Sequence, residues 1–343
     1  MMRAWVLPSL IGVKFKSGKF VGLGVLLVAS FVAGLSQGAV SIPLLGLVNG
    51  SATELEQIVF AEIRAPRVFL AGFVGASLAL SGAVLQGLFR NPLADPGLIG
   101  VSSGAAVGAI SMIVLGAALS IPDWAEAYVM PLAAMSGAMV VTFLLYSFAN
   151  YFGRFSVVTI LLVGIALNAM AGVVIGLFQY VSDDAQLRTL VFWLMGSFSR
   201  AQWASVLPAI GVMVGASLVL LRQVKNLDRL QLGESEAYYL GVDVPRAKRH
   251  MILCSAAAVG AGVSLTGIIG FVGLVVPHLA RLFLGSSHRL TLAGSVLIGA
   301  SLMILADLLA RTVMVPEELP VSLVTNAIGA PFFLWLIARA ARS

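Results

Sequence analysis

The feature that most limits this chain is a recurrence of apolar runs about as long as a membrane is thick. A helix crossing the hydrocarbon core needs about 20 apolar residues at 1.5 Å of rise each. Runs of this kind lie at 19–38, 66–86, 97–117, 127–149, 157–181, 203–221, 251–269, 271–284, 291–314 and 321–338. Between them little polar sequence is left: 59% of residues are hydrophobic, 10% are charged and the mean hydropathy is +1.02. A soluble domain carries about 25% charged residues, enough to coat its exterior. Soluble folds are therefore excluded. The expectation is an all-α polytopic membrane protein of about ten transmembrane helices, forming a single domain over 1–343. The 36 glycines fit this reading, because small residues let membrane helices approach closely.

Basic residues set the orientation. With the N-terminus inside, the cytosolic segments hold Arg3, Lys14, Lys16, Lys19, Arg90, Arg154, Arg222, Lys225, Arg229, Arg246, Lys248, Arg249, Arg281, Arg289, Arg339 and Arg342. The outside keeps Arg64, Arg67, Arg188, Arg200 and Arg311, which completes the 21 Lys and Arg. This positive-inside bias supports an even number of spans with both termini cytosolic. It also accounts for the net charge of +6 without invoking nucleic acid. The basic Lys14–Lys19 followed by an apolar run resembles a cleaved leader as well, but a retained first helix keeps the count even.

Four stretches depart from simple spans. The segment 251–284 has to hold two crossings, with Gly267, Gly270 and Gly273 offering a break and Pro277 shortening the second half. Thr189–Phe198 is too short to cross and is expected to be a re-entrant or interfacial helix outside. Glu54–Ile63, with three glutamates, reads as a second external element in water. The charged stretch 222–250 is long enough to have structure of its own, and a soluble partner can dock there. A shift of 185 residues pairs Gly75 with Gly260, Ala76 with Ala261, Leu80 with Leu265, Ser81 with Thr266, Gly82 with Gly267 and Pro92 with Pro277. Five spans of offset make this a weak inverted repeat.

Motifs of chemistry are lacking. Gly12–Lys19 fails as a phosphate-binding loop, since Val13 stands where glycine is needed and Phe20 where Ser or Thr is needed. No metal site and no catalytic set are expected: there is one cysteine, Cys254, and three histidines. Asp307 reads as the partner of Arg311, four positions on and on the same helix face. His278, beside Pro277, reads as ordering a helix break rather than binding an ion. Gly100, Gly104 and Gly108 form a packing stripe. An ion-coupled secondary transporter would bury ionisable groups at mid-membrane, and these are scarce. An intramembrane enzyme would need a nucleophile or metal cluster.

One segment is more specific. Phe89–Gly104, reading FRNPLADPGLIGVSSG, places two prolines and several glycines where a cytosolic loop enters a helix. It resembles the iron-complex and vitamin B12 permease family of ABC importers. So do Arg64–Arg67, Trp193–Ser197, Gly270–His278, Ala306–Arg311 and Glu318–Ser322, in family order from about residue 60 to the end. Phe89–Gly104 together with Ser182–Arg188 looks most like the haem permeases of that family.

The resemblance implies a ten-helix subunit working as a homodimer in the bacterial inner membrane. It further implies two ATP-binding subunits inside and a periplasmic solute-binding protein outside, with ATP held by the partner and no permanently bound cofactor. Glu236, Ala237 and Gly241 stand at positions that couple to the ATPase. Arg64, Arg67 and Arg311 stand where such permeases meet carboxylates of the binding protein. Asn91, Leu93, Val157 and Val158 fall on the cytosolic gate loops, although the two valines replace small polar residues of the vitamin B12 permeases. Asn168, Gln179, Thr325 and Asn326 are pathway candidates, and Arg188 near the outer mouth suits an anionic cargo. The implied cargo is an iron complex, with haem favoured over a ferric siderophore or cobalamin.

Overall fold

The computed structural model describes residues 17–38, 42–43, 46–47, 49–116, 119–151 and 156–340. It is built of helices, with no strand among the described residues. In chain order these are α1 Ser17–Ser36, α2 Glu54–Ile58, α3 Ala65–Phe89, α4 Val101–Leu115, α5 Asp123–Tyr151, α6 Val157–Val181 and α7 Asp184–Leu194. Then follow α8 Trp203–Arg222, α9 Val224–Leu230, α10 Glu234–Tyr239, α11 Val244–Thr266, α12 Val272–Leu284, α13 His288–Ala310 and α14 Val321–Ala340. Each of the ten apolar runs carries a helix. Among the described residues, six stretches are long and apolar enough to cross a membrane, including Glu54–Phe89 and His288–Ala310. The apolar helices at Val101–Leu115, Val272–Leu284 and Val321–Leu336 are shorter. The remaining one, α11, begins at Val244 instead of 251, and its first turns carry Arg246, Lys248 and Arg249 beyond the apolar part.

The expected break in 251–284 is present: α11 ends at Thr266, α12 starts at Val272, and Gly267 between them has a positive φ of 74°. Two other expectations need correction. Glu54–Ile63 is not a separate element, because α2 runs through a π-helical turn at Val59–Arg64 straight into α3. Its start is set by a capping box, in which Thr53 and Glu56 satisfy each other's backbone N–H groups. The short helix predicted at Thr189–Phe198 begins earlier, at Asp184, and ends at Leu194. There Asp183 caps through the Gln186 N–H at 2.8 Å, so the polar residues before Thr189 are helical too.

Nearly all of α3 is buried. It packs on α11, α12 and α13, while α11, its partner in the repeat, packs on α4 and α5. That exchange of neighbours is what an inverted repeat produces. The residue register does not hold to its end, however. Gly82 lies inside α3 whereas Gly267 lies beyond α11, and Pro92 is in a loop whereas Pro277 is inside α12.

Close backbone approach holds the layers together. A Cβ on Gly75 would stand 2.2 Å from the Gly299 carbonyl oxygen, and one on Gly299 would stand 2.4 Å from the Gly75 oxygen. Overfilling a packed contact typically costs about 1–3 kcal/mol, and here the obstacle is backbone. Gly75→Val or Gly299→Val should therefore sharply reduce folded yield by size-exclusion chromatography in detergent. Gly215→Ala on α8, where an added Cβ meets nothing within 4 Å, should leave the yield unchanged.

Candidate functional site

The functional candidates gather at the two opposite ends of the helices. At one end stand the start of α3, the end of α13 and the loop into α14. Arg67 lies just inside α3 and is 6% exposed. Its Nε donates to both carboxylate oxygens of Asp307 at 3.0 Å, and its Nη2 donates to Oδ1 at 2.9 Å. Its Nη1 donates to Glu318 at 2.9 and 3.0 Å. One guanidinium thus holds two carboxylates, the geometry its planar fork favours. Arg311 donates to the Gly34 carbonyl and sits 3.6 Å from Asp307. Arg64 donates to the carbonyls of Leu35 and Ser36 at 3.1 and 2.8 Å.

This arrangement revises what the sequence suggested. Asp307 is held chiefly by Arg67, 240 positions away, with Arg311 more distant. Arg64, Arg67 and Arg311 are buried and bonded within the chain, joining α1, α3, α13 and the loop beyond it. They are therefore not free forks awaiting an external carboxylate. The signal for Glu318 was its place in a motif that otherwise received no role. Arg188 is exposed, with its guanidinium 5.8 Å over the Phe192 ring.

At the other end, α9 and α10 fold the charged segment into a compact knob. Ala237 is fully buried and Lys248 bonds Glu234 at 2.6 Å, which ties α10 to α11. Gly233 and Gly241 both have positive φ, 140° and 82°, so glycine suits the turns that bracket α10. Around the buried foot, Leu232, Tyr238, Tyr239 and Leu240 are all exposed, Tyr239 at 85%, and Glu236 is exposed beside them. The sequence reading anticipated a charged knob and missed this aromatic and apolar surface, which the run Tyr238–Leu240 could have signalled.

The gate and pathway candidates separate. Asn91 accepts from the Leu93 N–H at 2.9 Å, forming a local turn that leaves Leu93 exposed. Of the second gate loop, 152–155 lie outside the described residues; Val157 packs against the core while Val158 is 65% exposed. Asn168 is not a free pathway group: its amide donates to the Gly97 carbonyl at 3.1 Å and its oxygen accepts from Ser103 at 2.6 Å. It pins the 3-10 turn Pro96–Ile99 and α4 to α6. Thr325 is buried, donating to the Ser322 carbonyl. Gln179 is half-buried, and Asn326 lines a cavity of about 490 Å³ together with Asp95, Phe271 and Ser322. His278 lies inside α12, its ring edge-on to Phe332 at 6.3 Å. No group of three or more His, Cys, Asp or Glu that could hold a metal occurs among the described residues.

A helical bundle with apolar spans, a folded knob at one end and an ionic cluster at the other is the architecture of a multi-pass membrane protein. Residues 26–339 match the model of the FecCD transport family, and the chain belongs to that family. It is 44% identical over 315 residues to the hemin transport system permease protein HmuU of Yersinia pestis, covering 92% of this chain and 93% of that one. It is 42% identical to the cobalamin import system permease protein BtuC of Halobacterium salinarum, covering 89% and 80% of the two chains. A solved chain described as an inward-facing conformation of a metal-chelate type ABC transporter superposes with a TM-score of 0.84 at 35% identity, covering 94% and 99%.

The buried cluster makes a stability prediction. Removing one partner of a buried ion pair leaves the other uncompensated and costs about 3–5 kcal/mol, whereas replacing both with apolar groups costs much less. Asp307→Asn should lower the unfolding midpoint in detergent by several degrees. Arg67→Met combined with Asp307→Leu should lose less than the sum of its single variants, measured in the same thermal series.

Proposed function

We propose that this chain is the permease subunit of an ATP-driven importer that carries haem into the cytoplasm across a bacterial inner membrane. The observation that carries this reading is the identity to the hemin permease over nearly the full length of both chains. In this reading the chain crosses ten times with both termini inside, two copies form the transporter, and cargo passes between them by alternating access. A solute-binding protein delivers cargo to the end bearing Arg67 and Arg188. Two ATPase subunits bind the α10 end and perform the hydrolysis, since the sequence holds no phosphate-binding loop of its own.

Geometry supports both contacts. The face of α6 carries Val158, Leu162, Ile165, Val173, Leu177 and Tyr180, each more than half exposed, and Gly172 and Gly176 open onto space. A second copy can close on such a face. On the knob, Tyr238 and Tyr239 supply the large, rigid contacts that dominate protein interfaces. The exposed Arg188 suits the propionates of haem.

The cobalamin permeases at 42% and 44% identity give the second reading. Proteoliposomes holding this chain with its ATPase and binding protein should take up haem on addition of ATP. Uptake of cobalamin or a ferric siderophore in preference would reassign the cargo, and uptake driven by an ion gradient alone would overturn the importer reading. Tyr239→Asp and Gly241→Val should reduce copurification of the ATPase at least tenfold, because interface hot spots carry about 2 kcal/mol or more. Helix content by circular dichroism should stay unchanged for Tyr239→Asp, whose side chain touches little of its own chain.

A further inference from the structure

A second polar site lies at the knob end, beside the α12–α13 turn. A cavity of about 310 Å³ there is lined by Arg90, Arg281, His288, Gln231, Ser286 and Thr291. Arg281 is partly buried, and its only described hydrogen bond goes to the neutral Gln86 Oε1, at 2.6 Å. The Gln86 amide nitrogen is committed to the carbonyls of Ala94, Gly273 and Leu274 at 3.2–3.3 Å, so its oxygen is fixed toward the guanidinium. Arg90 projects from a left-handed residue, φ 49°, at the end of α3 and is exposed. Among the described residues, neither arginine has a carboxylate within ion-pair distance. His288 does have one: its Nδ1 meets Asp228 at 2.7 Å, so that pair is satisfied internally. Two guanidinium groups thus face one cavity with no carboxylate within ion-pair distance of either among the described residues.

A partly buried guanidinium is stabilised by an anion able to accept several hydrogen bonds at once, and phosphate does so bidentately. The site's position selects the source. Leu282 and Phe283, 49% and 57% exposed, follow Arg281 directly, and the ammonium of Lys19 on α1 bonds the Phe283 carbonyl. Apolar side chains flanking basic groups at the end of spanning helices are the surroundings of a lipid head group.

We infer that this cavity binds the phosphate of an anionic phospholipid, held by Arg90 and Arg281, with the acyl chains lying along the end of α12. The inference does not depend on the cargo, and it concerns the cavity that adjoins the knob at Gln231 rather than the exposed Tyr238–Leu240 surface.

The test uses the full chain, purified in detergent and stripped of lipid, titrated with phosphatidylglycerol, phosphatidylcholine or inorganic phosphate. Native mass spectrometry reads retention, and thermal unfolding reads protection. Phosphatidylglycerol should be retained and should raise the unfolding midpoint, with the other two ligands giving little effect. One arginine near a membrane surface contributes about 1 kcal/mol, so Arg90→Gln and Arg281→Gln should each weaken the lipid response about fivefold. Arg90→Gln keeps the test valid if Arg281→Gln disturbs Gln86 and folding. Arg246→Gln, at an exposed residue of the same end paired with Asp243, should respond like the unaltered chain. Equal responses in Arg90→Gln and the unaltered chain would overturn the inference. So would equal protection by phosphatidylcholine, equal protection by inorganic phosphate, or an equal loss in Arg246→Gln.

Discussion

Contact between the backbones of α3 and α13 is the constraint on which the rest depends. Within lipid there is little hydrophobic drive bringing two helices together, because acyl chains are as apolar as leucine. Dispersion between close surfaces has to supply the attraction, and it falls off within about an ångström of separation. Gly75 and Gly299 remove both side chains at the crossing, so each helix rests on the other's carbonyls. The same device recurs where Gly82 meets the Gly273 carbonyl, and where Gly104 and Gly137 face each other across α4 and α5. Once α3 is seated in this way, Leu70, Leu80 and Leu85 become fully buried and form the centre of the core.

The ionic cluster closes the end of the same helix pair. Burying Arg67 and Asp307 carries a desolvation cost, offset here by multiple hydrogen bonds between opposite charges at short range. Such a cluster adds little net stability compared with packed apolar residues. Its effect is directional, because the Arg67 fork is satisfied only when Asp307 on α13 and Glu318 on the following loop are both correctly placed. Arg64 and Arg311 extend the fixing to the end of α1 through backbone carbonyls. This end of the bundle is thereby held rigid from beneath by buried arginines. Its accessible charges include Glu317, Glu318, Asp183, Asp184, Arg188 and Arg200.

Hydropathy made the helices legible because each spanning segment has to be apolar over a fixed length, whatever its neighbours do. The break near Gly267 and the folded nature of 222–250 were legible for a similar reason, since glycine clusters and charge interrupt an apolar run locally. Helix ends were less so. The starts at Asp184 and Glu54 are set by capping residues that lie outside the apolar stretch. Partnership was the least legible. Asp307 was assigned to its helical neighbour Arg311, while the folded chain gives it Arg67 from a distant helix, a choice made by the α3–α13 crossing. Asn168 is a pathway candidate through the family resemblance, which places its helix along the path, and only the folded chain shows its side chain bonded to Ser103 and Gly97. The exposed tyrosines of α10 were overlooked because tyrosine in an apolar chain does not stand out by composition.

The division between covered and uncovered helices bears on where cargo can travel. The middle of the chain is filled by α3 and the helices around it, and an interior packed at native density offers no conduit for a macrocycle. By contrast, only Ile160, Gly164, Leu167 and Ala171 of α6 are buried, and Leu323, Ile328, Leu334 and Trp335 on α14 are also exposed. The faces of α6 and α14 border the turn at Pro96–Ile99 and the cavity at Asn326 and Phe271. Polar groups placed beside otherwise apolar, uncovered helices fit a passage that a second copy would complete better than they fit a surface facing lipid. Under the proposed function, each chain therefore contributes one wall of the pathway. The rigidity supplied by the glycine crossings and the arginine cluster then lets such a wall move as a unit.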